Sequence, residues 1–220
     1  MMGALRLTVF GTGHLGTVHA ACMAQAGFEV LGVDTDSARI AALGAGRPGI
    51  HEPGLDAMLR RGLTSGRLSF TTSYQAAAVF GDVHFICVGT PHRPDGSAAE
   101  PRDLEACLER LAPLLSSDDL VVGKSAVPAG TAERLTALCG PAELAWNPAF
   151  LRDGHAVPDT VAPDRIVAGV VSSRAERMLR EVYAVQISAG VPFVTTDLTT
   201  AELIRTQASR PASRPRQRAD

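Results

Sequence analysis

The stretch that decides the fold is residues 5–16, which read LRLTVF followed by GTGHLG. Residues 5–10 form a short apolar run rich in strand-favouring residues, and from His14 the apolar residues recur at helical spacing until Gly27. Strand, glycine-rich turn and helix in this order predict the phosphate-binding unit of a dinucleotide-binding domain. In the pattern G-x-G-x-x-G the first glycine permits a tight turn, the second lets a pyrophosphate approach the backbone, and the third lets helix and strand pack closely.

The second strand indicates which dinucleotide binds. Residues 28–33 (FEVLGV) are predicted to form this strand, which Asp34 ends 18 residues after Gly16. A carboxylate at this position accepts hydrogen bonds from the adenosine ribose hydroxyls and repels a 2′-phosphate, so the sequence predicts NAD as the cofactor. Two alternatives stay open: Arg39 could hold the 2′-phosphate of NADP, and the turn could be a glycine-rich turn without a ligand.

Strands and helices alternate along most of the chain. Because nearly continuous apolar strands are buried on both faces of a sheet, we predict a Rossmann-like, doubly wound α/β fold with a mostly parallel sheet. The predicted strands are residues 5–10, 28–33, 83–88, 120–124, 144–146, 165–171 and 191–195, and the predicted helices are residues 14–25, 37–43, 53–62, 102–115, 130–138 and 174–183.

The pattern changes near residue 197. Residues 1–196 are predicted to form the NAD-binding domain, and residues 197–205 (DLTTAELIR) to begin a connecting helix that is cut off. Residues 206–220 hold no aliphatic side chain larger than alanine, and Pro211 and Pro215 oppose a helix, so this Arg/Pro-rich tail is predicted to be disordered.

Composition and charge exclude several classes of protein. Of the 220 residues, 45% are hydrophobic and 20% are charged, as in a soluble globular domain. The formal net charge is −2, and residues 205–220 carry five arginines without an aromatic residue, so a nucleic-acid-binding arm is not expected. No apolar run approaches the roughly 18 residues of a membrane span, and residues 1–6 lead directly into a strand, so a cytoplasmic protein is expected.

Cysteines and histidines give no indication of a metal site. Cys22, Cys87, Cys107 and Cys139 form no C-x-x-C pair, and none of the six histidines stands at ligand spacing from them. We therefore expect free thiols in a reducing compartment and no bound metal.

Seven segments, taken together in their order and spacing, resemble the UDP-glucose/GDP-mannose dehydrogenase family, and within it the members that oxidise UDP-glucose. Their order and spacing fit the family across residues 5–205, about the first half of a family member. The segments are VFGTGHLG (9–16), VDTDSARIAALGAGRPGIHEPGLD (33–56), FICVGTP (85–91), VVGKSAVPAGT (121–131), WNPAFLRDGHAV (146–157), PDRIVAG (163–169) and DLTTAELIR (197–205).

The resemblance implies NAD-dependent oxidation of a UDP-sugar. Enzymes of this family oxidise C6 of a nucleotide-linked hexose twice, pass a hydride each time to NAD, and hold the aldehyde on a cysteine before hydrolysis. Lys124 and Ala126 would lie beside the nicotinamide half, and Phe150, Leu151 and Arg152 would border the sugar nucleotide. The implied cofactor-binding residues are Gly11, Thr12, Gly13, His14, Leu15, Gly16, Asp34, Arg39, Val88, Gly89, Thr90, Pro91, Ser125 and Asp153.

The catalytic positions depart from the family pattern. Ala126 replaces the threonine of K-S-T-x-P, and Ala149 replaces the glutamate of N-P-E-F-L, which is a general acid/base in the family. The methyl group of an alanine can neither donate nor accept a proton at these two positions. Arg205 and Ser209 stand where the family has lysine and asparagine, and the G-G-x-C segment with the nucleophile would lie beyond residue 220. We therefore expect no intact catalytic residue and an inactive NAD-binding half.

Three interpretations follow from these departures. The chain could be the NAD-binding half of a UDP-glucose-oxidising enzyme, or a catalytically silent NAD- or nucleotide-binding module that forms a homo-oligomer or pairs with a full-length homologue. It could also be a non-functional fragment, since G+C-rich DNA read out of frame encodes the Arg, Pro, Ala and Ser of the tail. A recent frameshift alone would have left the family's threonine and glutamate in place at the positions of Ala126 and Ala149.

Overall fold

A computed structural model of the chain describes residues 5–89 and 101–208. Its described part contains one eight-stranded sheet in the order β3-β2-β1-β4-β5-β6-β7-β8. Neighbouring strands are parallel except β6 and β7, which meet antiparallel at the pair Trp146 and Gly169. The predicted mostly parallel sheet is confirmed. The strands are β1 (Arg6–Phe10), β2 (Glu29–Val33), β3 (Leu68–Thr71), β4 (Val83–Ile86), β5 (Leu120–Gly123), β6 (Glu143–Trp146), β7 (Ile166–Gly169) and β8 (Phe193–Thr196).

Ten α-helices accompany the sheet in the described residues, and a 3-10 turn at Ala112–Leu114 follows the fifth. Asp36 caps the helix Ser37–Gly44, since its carboxylate accepts hydrogen bonds from the Ala38 and Arg39 N–H groups. The helices are α1 (His14–Gln25), α2 (Ser37–Gly44), α3 (Leu55–Thr64), α4 (Tyr74–Phe80), α5 (Arg102–Leu111), α6 (Thr131–Thr136), α7 (Ala156–Val161), α8 (Ser173–Val182), α9 (Ala184–Ser188) and α10 (Leu198–Ala208).

Helix α10 continues beyond the predicted helix end at residue 205. It reaches Ala208, because Thr206, Gln207 and Ala208 contain no helix breaker and the first proline is Pro211. The rest of the tail that was predicted to be disordered, residues 209–220, lies outside the described residues.

Helices cover both faces of the sheet, which confirms the doubly wound fold. One apolar core holds Val18 of α1, Leu59 of α3 and Leu179 of α8. The other core, on the opposite face, holds Leu108 of α5 and Leu135 of α6. Every residue of β4 and β5 is buried between these two cores, which explains their continuous apolar sequences.

The strand order changes direction between β1 and β4. Since β1, β2, β4, β5 and β6 are mutually parallel, their carboxyl ends lie along one edge of the sheet. An open α/β sheet binds its ligand in the crevice at such a switch point. The glycine-rich turn follows β1, and the other predicted site segments follow β2, β4, β5 and β6 at the same edge. Within the described residues, no helix is long and apolar enough to cross a membrane.

Candidate functional site

The turn after β1 packs tightly on one side and is open on the other. A Cβ on Gly11 would lie 2.7 Å from the Val88 backbone, and a Cβ on Gly16 would lie 1.9 Å from the Gly11 carbonyl oxygen. Both positions therefore require glycine. None of the described atoms lies within 4 Å of a Cβ built on Gly13. The backbone at Gly13 faces open space, which fits the close approach of a pyrophosphate.

Helix α1 begins at this turn. Its N-cap residue is Gly13, in an extended conformation, and no side chain in the described part of the chain accepts a capping hydrogen bond there. The first N–H groups of a helix, together with the positive end of its dipole, attract anions. The turn and α1 thus present the groups that a phosphate needs.

Asp34 lies at the carboxyl end of β2 and faces the turn. Its Oδ2 atom accepts hydrogen bonds from the Thr12 N–H at 2.8 Å and the Thr12 hydroxyl at 2.9 Å. Burial acts to raise the pKa of this carboxyl, but the hydrogen bonds from Asp36, Thr12 and Arg39 outweigh it and lower the pKa. Asp34 is therefore anionic at neutral pH. Within residues 5–89 and 101–208, its Oδ1 atom accepts one hydrogen bond, from the Asp36 N–H at 3.1 Å, and a carboxylate oxygen has room for a second from a ribose hydroxyl.

Arg39 is ion-paired with the same carboxylate. Its Nη1 donates to Asp34 Oδ2 at 2.9 Å, and its Nη2 lies 3.7 Å from Asp36 Oδ2. A 2′-phosphate at this place would meet the negative charges of Asp34 and Asp36 beside one arginine. The local charge thus favours a ribose hydroxyl over a phosphate.

The other side of the crevice is formed by the segments after β4 and β5. The Ser125 hydroxyl donates to the Val88 carbonyl oxygen at 2.7 Å and joins these two segments. Gly89 is exposed beside them, whereas Thr90 and Pro91 lie outside the described residues. Lys124, the residue before Ser125, is buried, and its Nζ donates to Asn147 Oδ1 at 2.6 Å. The predicted residues Val88, Gly89 and Ser125 are therefore brought together.

Glu52 is a residue of this region to which the sequence analysis gave no role. Its side chain is buried and accepts hydrogen bonds from His14 Nε2 at 2.6 Å, the Gly154 N–H at 2.9 Å and the Ala156 N–H at 3.1 Å. Burial acts to raise the pKa of Glu52, but these hydrogen bonds lower it overall. Two of its partners lie 102 and 104 residues further along the chain, so no local spacing could have indicated them.

Asp153, which the resemblance implies as a contact near the nicotinamide carboxamide, lies near His14 of the glycine-rich turn. Its Oδ1 is 4.0 Å from His14 Nδ1, and its side chain is fully exposed. Leu15, the next residue of the turn, lies in the first turn of α1 and is half-buried. The segment after β6 and the start of α1 therefore meet.

The residues predicted to border the sugar nucleotide line a cavity of about 590 Å³. Phe150, Leu151 and Arg152 lie on its wall with Ala149 and Arg165. The Arg152 side chain is largely exposed, and its Nε donates to Asp159 Oδ2 at 3.1 Å. The cavity is large enough for part of a nucleotide sugar, and its charged side chains are Arg152, Arg165, Asp159 and Asp164.

The alanines at two of the family's catalytic positions offer no acid or base. Ala149 is 8% exposed and presents a methyl group at the cavity. Ala126, on the segment after β5, is half-buried. Arg205 lies in α10, and Ser209 lies outside the described residues.

The four cysteines are free and buried. Burial raises the pKa of the Cys22, Cys87 and Cys139 thiols to about 12 and that of Cys107 to about 11. None of them is a thiolate at neutral pH, and the thiolate is the nucleophilic form. Across residues 5–89 and 101–208, no three His, Cys, Asp or Glu side chains cluster so as to hold a metal ion.

Known proteins share this sequence and fold. The chain is 39% identical over 209 residues to a UDP-glucose 6-dehydrogenase of Rhizobium meliloti, a match that covers 91% of this chain and 48% of the relative. It is 42% identical over 190 residues to a UDP-glucose 6-dehydrogenase of Pseudomonas aeruginosa, with 82% and 42% covered. The chain thus spans about half the length of the curated relatives it matches.

Solved structures of dehydrogenases superpose on the chain. A ternary complex of GDP-mannose dehydrogenase from Pseudomonas aeruginosa matches with a TM-score of 0.87 at 31% identity, over 93% of this chain and 49% of that one. A UDP-glucose dehydrogenase from Pyrobaculum islandicum matches with a TM-score of 0.85 at 39% identity, over 94% and 50%. Residues 5–187 match the UDP-glucose/GDP-mannose dehydrogenase family, NAD binding domain. The chain therefore belongs to the UDP-glucose/GDP-mannose dehydrogenase family and comprises its NAD-binding domain.

Proposed function

We propose that this chain binds NAD in the crevice between β1 and β4 as the NAD-binding half of a UDP-glucose 6-dehydrogenase-like protein. The observation that carries the proposal is the arrangement of the glycine-rich turn and Asp34. Gly13 faces open space at the start of α1, and Asp34 is held anionic with room for a ribose hydroxyl. These two features support a pyrophosphate bound at the turn and an adenosine ribose bound at the end of β2.

The proposed substrate side is a UDP-sugar. The relatives named UDP-glucose 6-dehydrogenase support this class, and the cavity beside Phe150, Leu151 and Arg152 supports its place. Arg165 and Arg152 on the cavity wall can donate to a diphosphate or to sugar hydroxyls. Asp159, which is paired with Arg152, and Asp164 line the same cavity and leave its wall without a net positive charge. The residues that line the cavity follow β6 in the chain, and β6 ends at the same sheet edge as the cofactor crevice.

We further propose that the chain does not by itself oxidise UDP-glucose. The chemistry that NAD supplies when bound is acceptance of a hydride from an alcohol carbon. This chain's residues would hold the cofactor, but Ala126 and Ala149 carry no group that moves a proton, and the four thiols are buried and protonated. Each missing acid/base group costs about 10²- to 10⁴-fold in rate.

A second proposal is a catalytically silent NAD- or nucleotide-binding module, which forms a homo-oligomer or pairs with a full-length homologue. The specific observation in its favour is the contrast between two parts of the site. The hydrogen bonds that hold Asp34 against Thr12 are in place, whereas Ala149 stands at the cavity where the family has a glutamate. The buried free thiols fit a reducing compartment such as the cytoplasm.

Calorimetric titration tests the cofactor proposal. NADH is titrated into the 220-residue chain and into Gly13→Val, whose side chain would occupy the space that the pyrophosphate needs. Gly44→Val is the matched control, because a Cβ on Gly44, at the far end of α2, also meets none of the described atoms within 4 Å. We expect binding to the wild type and to Gly44→Val and loss of binding in Gly13→Val. Equal affinity in all three would place the site elsewhere.

A further inference from the structure

One buried carboxylate joins the glycine-rich turn to the segment 152–156. The Glu52 side chain is 1% exposed, and its Oε1 accepts hydrogen bonds from His14 Nε2 and the Gly154 N–H. Its Oε2 accepts from the Ala156 N–H at 3.1 Å. His14 is the first residue of α1, so a single side chain links the start of this helix to a segment about 100 residues away.

The segment 152–156 lies toward the nicotinamide end of the proposed cofactor. Asp34, at the end of β2, marks the adenosine end, and the glycine-rich turn after β1 marks the pyrophosphate. The dinucleotide crosses the crevice, so its other half lies toward β4, β5 and β6. The segment 152–156 follows β6 and meets α1 at His14, where Asp153 lies 4.0 Å from the imidazole.

We propose that Glu52 is a positioning residue, which sets the segment 152–156, and Asp153 within it, against the nicotinamide half of the cofactor. This inference rests on the proposed binding of NAD. Asp159 holds the start of the segment through the Arg152 N–H at 2.9 Å, and Glu52 holds its centre and end. Ala156 is also buried in the core beside α1, whereas residues 152–155 are exposed, so these two carboxylates hold the exposed part of the segment.

The charge and both oxygens of Glu52 are needed for this task. A Glu52→Gln side chain keeps one acceptor oxygen but presents an NH₂ group to the other donors. With the oxygen toward His14 and Gly154, the new NH₂ group would face the Ala156 N–H, donor against donor. The hydrogen bond to Ala156 would be lost and the exposed residues 152–155 would shift, while His14 would keep an acceptor oxygen and Asp34 would keep its contacts with Thr12.

The test compares NADH with ADP-ribose, which lacks the nicotinamide. Both are titrated into the wild type, Glu52→Gln and Asp119→Asn. Asp119 is the matched control, since its carboxylate also accepts from a backbone N–H (Ser116, 2.6 Å) and lies 3.4 Å from a histidine nitrogen (His84). It lies just before β5, at the opposite edge of the sheet.

For Glu52→Gln we expect the dissociation constant of NADH to rise about 10-fold and that of ADP-ribose to stay within about twofold, as for one lost charge-assisted contact. In Asp119→Asn the ratio of the NADH and ADP-ribose dissociation constants should equal the wild-type ratio, even if the substitution lowers the Tm. An unchanged ratio in Glu52→Gln would overturn the inference, and so would an equal loss for both ligands. A wild type that binds neither ligand would instead overturn the proposed function.

A second measurement applies if Glu52→Gln does not fold. Hydrogen exchange of the Gly154 and Ala156 amides is followed by NMR in the wild type, with NADH and with ADP-ribose. Both amides donate to Glu52, so we expect NADH to slow their exchange more than ADP-ribose does. Equal protection by the two ligands would overturn the inference.

Discussion

We expect a preference for NAD over NADP that depends on one carboxylate, and Asp34→Ser should remove it. Asp34 is held anionic by the Thr12 and Asp36 N–H groups and is paired at 2.9 Å with Arg39. Two unit charges 4 Å apart interact by about 4 kcal/mol at an effective dielectric constant near 20. Arg39, whose side chain is 45% exposed, offsets part of the repulsion of a 2′-phosphate.

We therefore expect the wild type to bind NADH more tightly than NADPH by about 1 to 3 kcal/mol, or roughly 5- to 150-fold. In Asp34→Ser the Arg39 guanidinium loses its closest partner and becomes available to a phosphate, so the preference should fall to within about threefold. Calorimetric titration with both nucleotides measures the two affinities for each protein.

Asp36→Ser is the matched control for this experiment. It makes the same change two residues on and removes the weaker partner of Arg39, at 3.7 Å. Serine is itself a good N-cap, so α2 keeps its capping residue. We expect Asp36→Ser to retain the preference for NADH. Equal affinities for NADH and NADPH in the wild type, or the wild-type preference retained in Asp34→Ser, would refute the reasoning and assign the discrimination to other groups.

Three further predictions concern stability and activity. Since hydrogen bonds hold the pKa of Glu52 below its usual value of 4.5, its contribution to stability is present above about pH 4.5 and is lost as the pH falls through the lowered pKa. The Tm difference between wild type and Glu52→Gln should therefore shrink in thermal melts from pH 7 to pH 3, and a difference that stays constant would contradict this. Truncation after Ala208 should leave the Tm unchanged within error, because residues 209–220 bring no large apolar side chain to bury; a drop of several degrees would show that they dock on the fold. No NADH should form from NAD and UDP-glucose, either in the wild type or in Ala126→Thr/Ala149→Glu, and UDP-glucose-dependent absorbance at 340 nm that disappears in Gly13→Val would contradict the proposed inactivity.

Elements with a strong local pattern could be predicted from the sequence. The strand β1, the glycine-rich turn and α1 follow one another without a gap, and each has its own pattern of residue types. Asp34 could be found because its spacing from the turn is characteristic of the cofactor fold. The cap at Asp36 follows from side-chain chemistry that acts within three residues.

Elements that depend on distant partners were missed. The strand β3 has only four residues, of which Leu68 alone is buried, and it stands at the sheet edge by pairing with β2. The helix α4 after it is a short run of YQAAAVF, also missed, as were the short helices α7 and α9. The antiparallel contact of β6 with β7 depends on one residue pair. The contacts of Glu52 join three separate parts of the chain, which no pattern within a window of sequence can indicate.

NMR titration tests the central claim most directly, because it locates the cofactor on the chain. NADH is added to ¹⁵N-labelled protein, and the amide shifts of the glycine-rich turn and Asp34 are compared with those of His84 and Asp119 at the opposite sheet edge. Binding in the crevice between β1 and β4 predicts large shifts for Gly11, Gly13 and Asp34 and small ones for His84 and Asp119. Saturable shifts that leave the turn and Asp34 unchanged would contradict the account.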